Sequence, residues 1–84
     1  MKTLMKFWAP WCQPCTVMTP RVKEALVGVS DVNFEAINVD ENGEAASARG
    51  VRSIPTLVLL DESGKEVSRL VGAQSVDAIK NLLR

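Results

Sequence analysis

APWCQPCTVMTP, residues 9–20, holds both of the chain's cysteines, Cys12 and Cys15, two residues apart, between prolines and directly after a tryptophan. Just upstream, Leu4 to Ala9 is an apolar run broken only by Lys6, which predicts a short buried strand. After Cys12 the period changes. Cys15, Met18, Val22, Leu26 and Val29 recur at spacings of three and four, which is one face of a helix, with Gly28 near its end. Pro20 falls inside that helix and should kink it, because it lacks an N–H and its ring crowds the preceding turn. The cysteine pair therefore stands where a strand gives way to a helix.

Further along, Val32 to Val39 predicts a second strand. Phe34, Ala36, Ile37 and Val39 make it apolar on both faces, which suits a sheet covered on both sides. Asn42 can cap a short helix through Arg49, closed by Gly50. Thr56 to Leu60, TLVLL, is β-branched and aliphatic and predicts a central strand. Asp61-Glu62-Ser63-Gly64 then turns the chain into an antiparallel partner, Lys65 to Val71. Ser75 caps a last helix whose apolar stripe is Val76, Ile79, Leu82 and Leu83, with Asp77 in its first turn and Lys80 and Arg84 in its last. The order is β-α-β-α-β-β-α, an α/β chain. A strand–helix–strand unit demands a right-handed crossover and parallel strands. The closing hairpin adds an antiparallel strand, giving a central four-stranded mixed sheet flanked by helices.

Eighty-four residues predict a single domain, 1–84. Ten basic and ten acidic residues are scattered and sum to zero, so nothing in the charge pattern favours nucleic acid or an anionic membrane. The longest apolar run is far too short to span a bilayer. Lys6 interrupts the N-terminal apolar stretch and no small-residue cleavage site follows, so no signal peptide is expected. These features predict a cytoplasmic, reducing setting. Because no apolar helix face is left uncommitted, a monomer is expected.

Three readings of the cysteines predict different company. As a structural clip, a disulfide closing so small a loop contributes only about 2 kcal/mol in the chain-entropy model. As zinc ligands they are too few, since a structural site wants four, usually Cys and His, and the chain has no histidine. Only a dimer-bridging site, or one drawing on carboxylates, would remain. As a redox couple they fit their surroundings. At a loop-to-helix transition, free N–H groups and the helix dipole favour an anion and so lower the Cys12 thiol pKa. Cys15, one turn later, can attack a mixed disulfide formed at Cys12. Pro14 stiffens the backbone between them. Cys-x-x-Cys beside a βαβ pattern is a moderately specific redox signal. Trp11 is either a half-buried aromatic or part of the contact surface beside the nucleophile.

Ile54-Pro55-Thr56 stands at the start of the TLVLL strand, where a proline is tolerated. Taken with the cysteine motif it resembles the thioredoxin family, whose proline here has a cis peptide bond and faces the cysteine pair. The resemblance runs from about Leu4 to the C-terminus. It rests on Phe7-Trp8-Ala9, Trp11-Cys12-Gln13-Pro14-Cys15, Pro20, Asn38-Val39-Asp40, Ile54-Pro55-Thr56 and Val71-Gly72-Ala73. It implies a thioredoxin-like fold, with Cys12 as nucleophile and Cys15 as resolving thiol. Trp11, Gln13, Pro14, Ile54, Pro55, Val71, Gly72 and Ala73 would line a groove for an extended substrate segment. It also implies no bound cofactor beyond the redox-active Cys12–Cys15 disulfide, disulfide-containing protein substrates, and electrons from an NADPH-dependent flavin reductase.

The chain departs from the family pattern in three places. The usual N-terminal strand and helix are lacking, which would leave the second strand as a sheet edge, blunted by Asn33, Glu35 and Asn38 or used for pairing with a partner. Gln13 replaces a glycine. Lys6 stands where the family has a buried acid, and that acid's usual lysine partner aligns with Ala36. Lys6 can snorkel to water and do nothing, or it can help set the pKa of one or both thiols. The expected activity is reduction of protein disulfides. Two alternatives are a glutaredoxin-like enzyme recycled by glutathione and a thioredoxin-fold accessory binding subunit whose thiols are dispensable. A glutaredoxin usually carries Gly-Gly followed by acidic residues at the position of Val71-Gly72-Ala73, and no clamp for the glutathione termini is visible.

Overall fold

A computed structural model describes residues 1–84. The chain runs β1 (Lys2–Trp8), α1 (Gln13–Ala25), β2 (Val32–Asn38), α2 (Gly43–Ala48), β3 (Thr56–Leu60), β4 (Glu66–Val71) and α3 (Val76–Leu82). The strands form one mixed sheet in the order β2-β1-β3-β4. β2 is parallel to β1, as the crossover through α1 requires, with Lys2 opposite Val32 and Trp8 opposite Asn38. β3 is antiparallel to both β1 and β4. The predicted element order and sheet type therefore hold.

Strand alternation divides the core. Leu4, Leu57 and Leu59 face α1 and α3, where they pack with Met18, Val22, Ala25, Ile79 and Leu82. Met5, Phe7, Val58 and Leu60 face the other way and pack with Ala46 of α2. β3 supplies both layers, so all five of its residues are buried. Lys6 has the parity of Leu4 and so lies on the α1 side.

The caps form where the sequence placed them. The Asn42 side chain accepts the Ala45 N–H, and the Ser75 side chain accepts the Ala78 N–H. Gly50 follows α2 in the left-handed region, at φ +64°, which glycine adopts without a Cβ clash. Pro20 lies within α1, whose helical hydrogen bonding ends near Leu26, so Val29 falls outside the helix. β1 begins at Lys2 rather than Leu4, because the Lys2 N–H is engaged by the Asp31 carbonyl at 3.2 Å.

One expectation fails. The apolar pattern of β2 suited a strand covered on both faces, yet no residue of β2 is buried and Phe34 is 44% exposed, while its expected place at the sheet edge holds. β2 pairs only with β1 and forms a sheet edge. No helix is long and apolar enough to cross a membrane.

Candidate active site

The cysteine pair is built by the junction between β1 and α1. After Trp8 the chain turns tightly, with the Cys12 N–H donating to the Ala9 carbonyl at 3.1 Å. Cys12 then occupies the N-cap of α1 with extended backbone, at φ −92° and ψ 105°. Its Sγ accepts the Cys15 N–H at 3.2 Å, and its carbonyl accepts the Thr16 N–H. Sulfur thus does the work usually given to a Ser, Thr or Asp oxygen at this position. No acidic residue lies in the first turn to oppose an anion there. Pro14 fits this turn because a first-turn residue has no helical acceptor for its missing N–H.

Cys12 and Cys15 are joined in a disulfide, with their Cα atoms 5.3 Å apart. Both are buried with Ala9, and Trp8, Val39 and Ile54 pack around them. The Cys12 sulfur thus lies at the N-terminal end of α1, where N–H groups lack helical acceptors.

The opposite wall comes from the chain before and after the β3–β4 hairpin. The Ile54–Pro55 peptide is cis and Pro55 is buried. The Thr56 hydroxyl donates to the Ser53 carbonyl at 2.7 Å, closing the turn into β3. The Gly72 N–H donates to the Pro55 carbonyl at 2.8 Å, extending strand pairing beyond Thr56 and Val71. Gly72 has φ +85°, a backbone conformation that favours glycine. Ile54 thus touches the cysteine cluster, and Val71-Gly72-Ala73 lies alongside Pro55. Gln13 and Pro14 are exposed on the first turn of α1.

Four contributors escaped sequence reading as site residues. Trp11 is 69% exposed, not half-buried, yet it is held by its Nε1–H, which donates to Asp40 Oδ2 at 2.9 Å. Asp40 sits in the quoted Asn38-Val39-Asp40 stretch, which was the available signal. The Gln74 N–H points to Met18 Sδ at 3.2 Å, and Arg21 Nη1 donates to the Gln74 carbonyl at 3.0 Å. Met18 and Arg21 thereby hold the 72–74 turn against α1. No sequence pattern announces that contact across 53 positions. Thr19 is the fourth.

Lys6 does not snorkel free. It is only 6% exposed, and its Nζ donates to Thr19 Oγ1 at 2.7 Å, while that hydroxyl donates to the Cys15 carbonyl at 3.3 Å. Burial pushes the Lys6 pKa below its ordinary value by penalising the ammonium form. Lys6 and Cys15 line one cavity of about 580 Å³ under α1. No group of three or more His, Cys, Asp or Glu side chains is placed to hold a metal ion.

The model of the thioredoxin family matches residues 1–84. The chain is 43% identical to thioredoxin 1 of Synechococcus elongatus over 81 residues, which is 95% of this chain and 75% of that protein. Thioredoxin of Bacillus subtilis is 41% identical over 81 residues, covering 95% of this chain and 77% of the relative. Among solved structures, a thioredoxin variant from Halobacterium salinarum superposes with a TM-score of 0.85 at 46% identity, covering 96% of this chain and 70% of that one. The oxidised form of mitochondrial thioredoxin 3 from Saccharomyces cerevisiae gives 0.86 at 31% identity, covering 95% and 74%.

Proposed function

The chain belongs to the thioredoxin family and is a dithiol–disulfide oxidoreductase; on that premise we propose that Cys12 is its nucleophile and Cys15 its resolving thiol in reducing protein disulfides. The Cys12 thiolate attacks one sulfur of the substrate disulfide and displaces the other as a thiolate, leaving a mixed disulfide. The Cys15 thiolate then attacks Cys12 Sγ, closing the Cys12–Cys15 bond and releasing the second substrate thiol. Two electrons pass from the cysteine pair to the substrate, and two protons restore its thiols.

The observation that carries this reading is the placement of Cys12 as N-cap of α1, with Cys15 bonded to it one turn behind. Trp11, Gln13, Pro14, Ile54, Pro55, Val71, Gly72 and Ala73 are the proposed groove for an extended substrate segment. The exposure of Trp11 and Val71 and the contact of Ile54 with the cysteine cluster support it. Lys6 is the proposed modulator of the Cys15 thiol, supported by the Lys6–Thr19–Cys15 hydrogen-bond chain.

The family acts on disulfide-containing proteins and is reduced by thioredoxin reductase. The finer reading is an NADPH-dependent flavin reductase as donor, acting in the cytoplasm on residues 1–84 working as one monomeric unit. The balanced charge supports no role for nucleic acid or a membrane surface.

Insulin reduction, run with thioredoxin reductase and NADPH in parallel with glutathione and its reductase, tests the assignment. Turnover in the first system, lost in Cys12→Ser, is expected. Turnover with glutathione alone would favour the glutaredoxin-like alternative, which the thioredoxin matches do not favour. Full partner binding by a Cys12→Ser/Cys15→Ser double variant in cells, with its phenotype intact, would favour an accessory subunit.

A further inference from the structure

The cavity under α1 is larger than the contact between Lys6, Thr19 and Cys15 requires. Its buried members include Lys6, Ala9, Cys15 and Val22, whereas Lys23, Val27 and Phe34 are exposed and mark its mouth. Lys6 and Lys23 are its only charged lining residues, and no carboxylate faces them. An ammonium has three donors, and Thr19 Oγ1 is the one protein acceptor that Lys6 engages. Trp8, on the same wall, has an indole N–H that is buried without any acceptor.

A buried ammonium with no counter-charge is costly. A carboxylate would satisfy it with charge-assisted hydrogen bonds, which are among the strongest in proteins. Most of the remaining lining, including Val22, Leu26 and Phe34, is apolar and matches a hydrocarbon chain. At about 580 Å³ the space falls within the range of small-molecule sites. A bare inorganic anion would leave those walls in water, and an uncharged lipid would leave the ammonium unpaired.

We propose that this cavity binds an amphipathic carboxylate, its head group on Lys6 and its hydrocarbon chain along Val22, Leu26 and Phe34 toward the mouth. The site is separate from the substrate groove and requires no thiol chemistry. It is therefore tested on the full chain with its disulfide intact, so that failure here leaves the oxidoreductase reading standing.

The experiment is an NMR titration of the amide spectrum with octanoate, with octanol and octylamine as controls. Octanoate should shift Thr19, Val22 and Phe34 in a saturable manner, about tenfold more tightly than octanol, the size of effect one charge-assisted contact provides. Lys6→Met should bring octanoate down to the level of octanol. Val27→Asp, which adds a carboxylate at the exposed mouth, should weaken octanoate without unfolding the chain. Equal binding of octanoate and octanol, retention of octanoate binding in both variants, or no saturable shift would each overturn the proposal. Self-association through Phe34 that octanoate fails to compete with would overturn it in favour of a second copy as occupant.

Discussion

β3 and β2 flank β1 on either side, and they share an apolar character but not a fate. Every residue of TLVLL in β3 is buried, whereas no residue of VNFEAIN in β2 is. β3 has a strand on each side and a packed layer on each face; β2 has one neighbour and an open flank. Position in the sheet, more than composition, sets burial. The β3 side of β1 therefore supplies rigidity beneath Pro55 and the 72–74 turn. On the β2 side lies the space under α1 in which Lys6 lines a cavity.

The comparison is sharpest at Leu57 and Phe34. Leu57→Ala should cost about 2–5 kcal/mol, because the site is sealed between α1, α3 and the sheet and cannot collapse fully. Phe34→Ala, at a half-open site, should cost less than about 1 kcal/mol. Denaturant midpoints measured at constant slope check both. Equal losses would break the distinction between the two strands.

Lys6→Met tests the open side more finely and has the smallest expected effect. Burial lowers the Lys6 pKa in the folded chain. Below that lowered value the amine is charged in both states and the native state bears the desolvation cost. Between it and the unfolded value of about 10.4, the unfolded chain holds the extra proton, so native stability rises with pH. Methionine removes the cost at every pH. The variant should therefore be slightly more stable near neutrality, and the advantage should shrink as pH climbs through that window. Paired urea titrations from neutral to pH 10 provide the check, and a constant or growing advantage would contradict it.

Much of this organisation is legible in the residues themselves. The change of period at Cys12, the caps Asn42 and Ser75, and the TLVLL strand each carry a local signal, and each sits where that signal places it. The cysteine pair and Pro55 are likewise marked by their immediate neighbours. What local pattern could not convey depends on contacts between distant segments. The exposure of both faces of β2 depends on how far α1 and α2 reach over the sheet edge, which its apolar pattern does not show. The tether of Trp11 to Asp40 spans 29 positions and that of Arg21 to Gln74 spans 53. The fate of Lys6 depended on whether a hydroxyl lay within reach, and Thr19 supplies it from the next helix. Neither periodicity nor propensity encodes such pairings.

The central claim is that the end of α1 makes Cys12, and not Cys15, the sulfur that ionises and attacks. Reduced protein should be exposed to limiting iodoacetamide across a pH series and the label mapped by mass spectrometry. Labelling confined to Cys12, with a midpoint below the ordinary thiol value of about 8.5, is the predicted result. Equal labelling of the two cysteines, prior labelling of Cys15, or a Cys12 midpoint at or above that value would contradict the account.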